Sequence, residues 1–247
     1  TVIISSNEAA HSALLVNGNV ILETDEIATS TQLILETGVH EIVVASRDIL
    51  GNSATSTSQN IEIFKKPIVI NEIAWAGTSE SAFNEWIELE SQIGEVLDMS
   101  RLSIEASDQV LQIALQSQLE SYGYYLIERT DDESVPTIPA NLITAFSGSG
   151  GGSGLSNSGE ELLLIYHMGT TAVVVDKTPA VSVCGGWCNA QDNSGGTMIR
   201  TNPAINGALQ NAWSDDPNTY VPIYDRTSLQ IAGTPKAGNY SNTMPQI

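Results

Sequence analysis

Almost every apolar run in this chain is the length of a β-strand and alternates with a period of two. The clearest case is ALLVNGNVIL, residues 13–22, which folds back on itself. Asn17-Gly18 supplies the two positive φ angles of a type I′ turn, so the flanking residues form a hairpin. TQLILETGVHEIVVASRD reads as two further strands turning near Gly38, ILGNS as a turn, and TSTSQNIEIF as an alternating strand. About six strands in the first 64 residues is the spacing of a small β-sandwich.

FKKP then marks a boundary, because Pro67 cannot donate to a central ladder and Lys65-Lys66 make a solvated link. The reading divides the chain into residues 1–65, residues 66–240 and a tail, residues 241–247. The second region continues in strands: IVINEIAW, NEWIELES, VLDMSRLSIEA, YGYYLIERT, NLITAF, EELLLIYH and TAVVVDK. VLQIALQSQLES, residues 110–121, suits neither period cleanly and is read as strand then turn. The glycine-rich SGSGGGSGLSNSGEE lacks the Gly-Lys-Ser/Thr of a phosphate loop and reads as a flexible connection. After Asp176 regular structure thins out until a closing segment near TSLQI. The fold class expected is all-β, as two immunoglobulin-like β-sandwich domains in tandem.

Charge narrows the function classes. Asp and Glu number 29 against 9 Lys and Arg, a net charge of −20, although only 15% of residues are charged. Clustered Lys and Arg for phosphate are lacking, which argues against nucleic acid and against an anionic membrane surface. No run of about 20 apolar residues is present to span a bilayer. No basic-apolar-small signal pattern opens the chain, so a secreted protein would have had its targeting segment removed or placed outside this sequence. The acidic balance permits calcium, but Asp131, Asp132 and Glu133 in one loop and Asp215 and Asp216 in another do not space as an EF-hand, and no site is assignable.

Cys184 and Cys188 stand in CGGWC, where three intervening residues admit a short-loop disulfide. That is the expectation, ahead of free thiols. Zinc would need about two more ligands, and no His lies near in sequence. His11, His40 and His167 are spread along the chain without a G-x-S-x-G elbow, so no hydrolase triad is expected.

NEIAWAGTSESAFNEWIEL, residues 71–89, gathers Glu72, Glu80, Glu85 and Glu88 around Trp75 and Trp86. A glycosidase needs two carboxyls about 5–9 Å apart in a cleft. The structural alternative is favoured: strict alternation puts Ile68, Ile70 and Glu72 on one face and Val69, Asn71, Ile73 and Trp75 on the other. Glu72 and Glu85 would then accept N–H bonds from the loop 76–84 and hold its ends, with Glu80 solvated.

The second region resembles the bacterial lamin tail domain, an immunoglobulin-like sandwich. IVINEIAWAGTSESAFNEWIELES and GLSNSGEELLLI carry the resemblance, supported by VLDMS, YYLIERTDD, VVVDK, GGW, TMIR, Trp213 and GTPKAGN. Its signature positions fall on Asn71, Glu72, Trp86, Glu88, Gly159 and Trp213. Arg101-Leu102 stands where the family has Gly-Trp. Residues 1–64 resemble bacterial immunoglobulin-like surface domains through LLVNG and LETGVHEIVVASRDILGNSATSTSQNIEI. Such domains carry a further strand before the segment matching TVIISSN, which implies an exposed edge near Thr1 that recruits a strand.

The resemblances imply an extracellular or cell-surface, non-catalytic module with protein partners, copies of itself among them, and no cofactor. In its sharper form a neighbouring chain completes the first sandwich by strand donation, the tail YSNTMPQI being one donor. Two other readings compete: an accessory region of a larger secreted hydrolase, or a glycan-binding module using Trp75, Trp86, Trp187 or Trp213 as a stacking platform.

Overall fold

Nineteen strands among the described residues, against one four-residue α-helix and two 3-10 turns, make the chain all-β. The computed structural model describes residues 2–5, 10–33, 35, 38–63, 66–148, 154–188, 197–215 and 223–239. The chain divides into two units, Thr1–Lys65 and Lys66–Ile247.

In the first unit the strands are β1 (Val2–Ser5), β2 (Ala10–Val16), β3 (Asn19–Thr24), β4 (Ala28–Thr31), β5 (Gly38–Asp48), β6 (Ser53–Thr55) and β7 (Gln59–Ile63). Asn17 and Gly18 have φ of 51° and 76°, the I′ pattern, and join β2 to β3. β5 is the spine: β2 pairs along one edge, while β6 and β7 share the other. The ILGNS turn is tied by Asp48, whose Oδ1 accepts from the N–H of Leu50 and of Asn52, both at 2.8 Å. β1 and β4 form a separate two-stranded ladder. Ile4, Leu14, Val16 and Ile42 make a small core. The two strands expected around Gly38 reduce to β5, since residues 32, 33 and 35 run without strand pairing.

The second unit contains β8 (Ile68–Ala74), β9 (Trp86–Ser91), β10 (Leu97–Asp98), β11 (Leu102–Ala106), β12 (Gln112–Ala114), β13 (Gln118–Leu119), β14 (Tyr124–Arg129), β15 (Leu142–Thr144), β16 (Leu162–Met168), β17 (Thr171–Lys177), β18 (Met198–Arg200) and β19 (Trp213–Ser214). A six-stranded sheet runs β15-β14-β9-β8-β18-β19 and a four-stranded sheet β12-β11-β16-β17. Their facing side chains share one large core, including Ile68, Ile70, Ile73, Ile87, Leu89, Ile104, Leu162 and Leu164. Leu102, beside the Gly-Trp departure, is buried in that core.

Two findings correct the face assignment. The β8–β9 register shifts between Ile70 and Glu72, so Asn71 is the extra residue of a bulge. The alternation therefore breaks: Ile68 and Ile70 point into the large core, and so do Ile73 and Trp75. The other face of the six-stranded sheet, which alternation would leave to solvent, is covered as well. Ile223 and Ile231 pack there with Ala74, Trp86, Leu126 and Val135 in a second core. Every residue of β8 and β9 is consequently buried.

Candidate functional site

The bulge at Asn71 sets Glu72 directly opposite Glu88 across the β8–β9 ladder. Both carboxyls are completely buried. Like charges directly opposed in a ladder repel, and burial disfavours either charge alone. Burial raises Glu72 to about 7, against hydrogen bonds from Thr234 and Asn239. Burial, then the neighbouring Glu72, pushes Glu88 well above the usual carboxylate range, against N–H bonds from Lys236 and Asn71. Both carboxyls are therefore fastened to the segment 233–239, and neither reaches the loop 76–84. That corrects the loop-anchoring role expected of Glu72.

Glu85 is corrected too. Its Oε2 lies 3.0 Å from Arg129 Nη1 and accepts the Leu155 N–H at 2.9 Å. Burial still raises Glu85 to about 7. Gly154 (φ +87°) brings the glycine-rich connection close, since a Cβ there would lie 2.8 Å from Glu85 Oε2. The loop 76–84 is instead closed by its own bonds, Thr78 N–H to Ser81 O (3.0 Å) and Asn84 Nδ2 to Thr78 Oγ1 (3.0 Å). Ser79 Oγ adds a bond to Asp225. Glu80 faces Arg226 at 3.9 Å.

Gly159 has φ +90°, and a Cβ there would stand 2.6 Å from the carbonyl carbon of Gly186. The CGGWC turn thus lies directly against it. Cys184 and Cys188 are disulfide-bonded with Cα atoms 5.3 Å apart, and Gly185 closes the short helix Val181–Cys184 at φ 75°. Trp187 then stacks on Trp75 at 6.2 Å and donates Nε1–H to Ser156 O at 2.7 Å. Gly159→Ala is expected to cost about 2–4 kcal/mol, combining left-handed backbone strain with overpacking. Gly169→Ala, also at positive φ but with open space around it, should cost only about 1–2 kcal/mol. Urea unfolding of the two variants is the check.

Trp213 donates Nε1–H to Gly207 O at 2.7 Å and lies under the Arg200 guanidinium at 5.0 Å. Trp75, Trp86, Trp187 and Trp213 are all buried. None presents a stacking face, which removes the tryptophan platform for a glycan.

Sequence reasoning missed two arrangements. Arg200 and Asp176, both fully buried, pair at 3.0 Å, and Asp176 Oδ2 also accepts the Ile70 N–H at 3.1 Å. On the outer face of the four-stranded sheet, Ser103 Oγ donates to Glu105 Oε1 at 2.8 Å and meets His167 Nε2 at 2.8 Å. With the hydroxyl proton given to Glu105, the contact with His167 is completed by the tautomer that carries hydrogen on Nε2. His40 meets Asn17 Nδ2 at 3.2 Å. His11 bonds Asp25 at 2.8 Å beside a hollow of 320 Å³, and that carboxylate holds it above its usual value.

Of the loop acids, Asp132 accepts the Ala140 N–H at 2.8 Å and Glu133 pairs with Arg226. Asp216 and the tail 240–247 lie outside the described residues. Among the described residues no three of His, Cys, Asp and Glu converge as metal ligands, and no helix is long and apolar enough to cross a membrane.

No family model matches this sequence. No curated protein matches it. One solved structure aligns, a DUF4876 family protein from Bacteroides thetaiotaomicron, over 95% of this chain and 89% of its own, at 10% identity and a TM-score of 0.39. A likeness at that level carries nothing about fold family or function.

Proposed function

We propose that this chain is a non-catalytic, extracellular interaction module of a bacterial surface protein. Two immunoglobulin-like sandwiches stand in tandem, the second of the lamin tail type, and copies of the chain join through strand addition to the first. The observation that carries this reading is the state of the first unit's edge strands. β3 forms one edge of its sheet and exposes Val20 (53%) and Ile21 (52%) side by side. In the two-stranded ladder β1–β4, Ile3 is 75% exposed. Such ladders are marginal in water, and unpaired edges are templates for another strand.

Two further observations support it. The buried carboxyls Glu72, Glu85 and Glu88 are occupied by internal hydrogen bonds. The Cys184–Cys188 disulfide suits an oxidising exterior. The test is solution mass by light scattering across micromolar to millimolar protein. Dimers or longer assemblies that dissociate in an Ile3→Lys, Val20→Lys variant are expected. A monomer at every concentration overturns the assembly.

A further inference from the structure

The hydrogen bonds beneath the segment 233–239 form one directed chain. Thr234-Pro235-Lys236-Ala237 is a turn closed by Ala237 N–H to Thr234 O at 2.9 Å. Lys236 takes φ 57° in the third place, where such a turn favours glycine. That backbone aims the Lys236 N–H at Glu88 Oε2, 2.6 Å away. The Thr234 N–H reaches Glu72 Oε2 at 3.0 Å.

Side chains complete the circuit. Asn239 Nδ2 donates to Asn71 Oδ1 at 3.0 Å and to the Asn71 backbone carbonyl at 3.4 Å. Asn71 Nδ2 donates to Glu88 Oε1 at 2.9 Å. The backbone carbonyl orients the Asn239 amide, because the flipped amide would set oxygen against oxygen. Asn239 Oδ1 therefore faces Thr234 Oγ1 as an acceptor. Thr234 has one hydroxyl proton for two oxygens, Asn239 Oδ1 and Glu72 Oε1. One of these two contacts therefore lacks a hydrogen while Glu72 is ionised, and a second proton is needed to fill both. Only a protonated Glu72 donates.

We propose that these five side chains are a proton-operated clasp: a proton on Glu72 holds the segment 233–239 against the six-stranded sheet, and its departure lets the segment go. With the proton in place, every donor from Glu72 through Thr234, Asn239 and Asn71 to Glu88 finds an acceptor. Without it, one of the two Thr234 hydroxyl contacts has no hydrogen, and a buried charge on Glu72 stands opposite the Glu88 carboxyl. The groups around the pair are neutral or negative except Lys236, whose ammonium Glu88 attracts. Glu90 on β9 and Tyr124 and Glu128 on β14 are neutral or negative. Asp132 lies in the next loop, and the Lys236 ammonium is turned to Pro139 O at 2.7 Å. Gly233 passes so close that a Cβ would lie 2.8 Å from Trp86 and 3.2 Å from Glu72 Oε2. Release therefore uncovers the Trp86 face.

Hydrogen exchange at the Thr234, Lys236 and Ala237 amides, corrected for intrinsic rates, tests this at pH 6 and pH 9 on the full chain. In the wild type, protection is expected to fall about tenfold or more at pH 9. Glu72→Gln should keep its protection at both pH values, because Nε2 supplies the proton's bond to Thr234 permanently. Equal wild-type protection at both pH values overturns the proposal. So does Glu72→Gln losing protection at pH 9.

Discussion

Asp176→Ala is expected to destabilise the second unit by about 3–5 kcal/mol, the range for stranding a buried charge. Arg200 is completely buried, and its guanidinium is held at Asp176 Oδ2 (3.0 Å), Ile205 O (2.8 Å) and Ile70 O (3.3 Å). Removing the carboxylate leaves that cation with carbonyls alone. It also takes the acceptor from the Ile70 N–H and the partner from Lys66, 3.2 Å away. The pair ties β17 in one sheet to β18 in the other. Arg200→Met with Asp176→Leu removes both charges and keeps the bulk. Buried pairs are commonly replaced by packed apolar groups with little loss, so the double variant should lie well above Asp176→Ala in urea. A double variant as unstable as Asp176→Ala would show that the geometry, not the stranded charge, sets the cost.

The second expected result is that acid stabilises the protein. Carboxyls raised by burial are Glu72, Glu85 and Glu128, each to about 7, with Glu88 well above its ordinary range and Glu160 also raised. The folded state holds these protons where the unfolded chain has released them. Stability is then fullest below the ordinary value of 4.5 and falls as pH climbs to about 7. Acids held low act in the opposite sense. Hydrogen bonds from Asn52 lower Asp48, and those from Ser100 lower Asp98. For Asp225, burial is outweighed by bonds from Ser79, Thr227 and Leu229. Their contributions disappear below the ordinary 3.8. Thermal melts from pH 3.5 to 9 should therefore peak near pH 4.5–5. A melting temperature that rises steadily to neutral pH would show that these carboxyls are ionised in the fold. The peak falls close to the isoelectric point of about 4.2, so the most stable protein is also the least protected by charge from association.

Local chemistry was legible in the sequence wherever neighbours decide the structure. Asn17-Gly18 demands its turn, and β14, β16 and β17 fall on the strand-length apolar runs YYLIER, LLLIYH and TAVVVDK. Cys184 and Cys188 are close enough in sequence to meet. Legibility failed where distant residues decide. Nothing in IVINEIA marks a bulge at Asn71, since no glycine or proline interrupts it, yet one extra residue reverses every face after it. Met198–Arg200 is too short to show a period, although it pairs with β8 inside the larger sheet. The segment 223–239 has almost no regular structure, so periodicity could not reveal it as a third layer. Glu72 read as an anchor of the loop 76–84 because its partners, Thr234 and Asn239, carry no local signal.

That third layer also orders events in time. Glu72 meets Thr234 across 162 residues and Asn71 meets Asn239 across 168. Contacts so remote in sequence form slowly, because the entropy of closing a long loop precedes any reward. The β8–β9 hairpin is among the first parts of its unit to emerge during synthesis, and the last to be sealed. Until residue 239 arrives, Trp86 and Leu126 remain an open apolar surface, an adhesive stage through which every copy of the chain must pass.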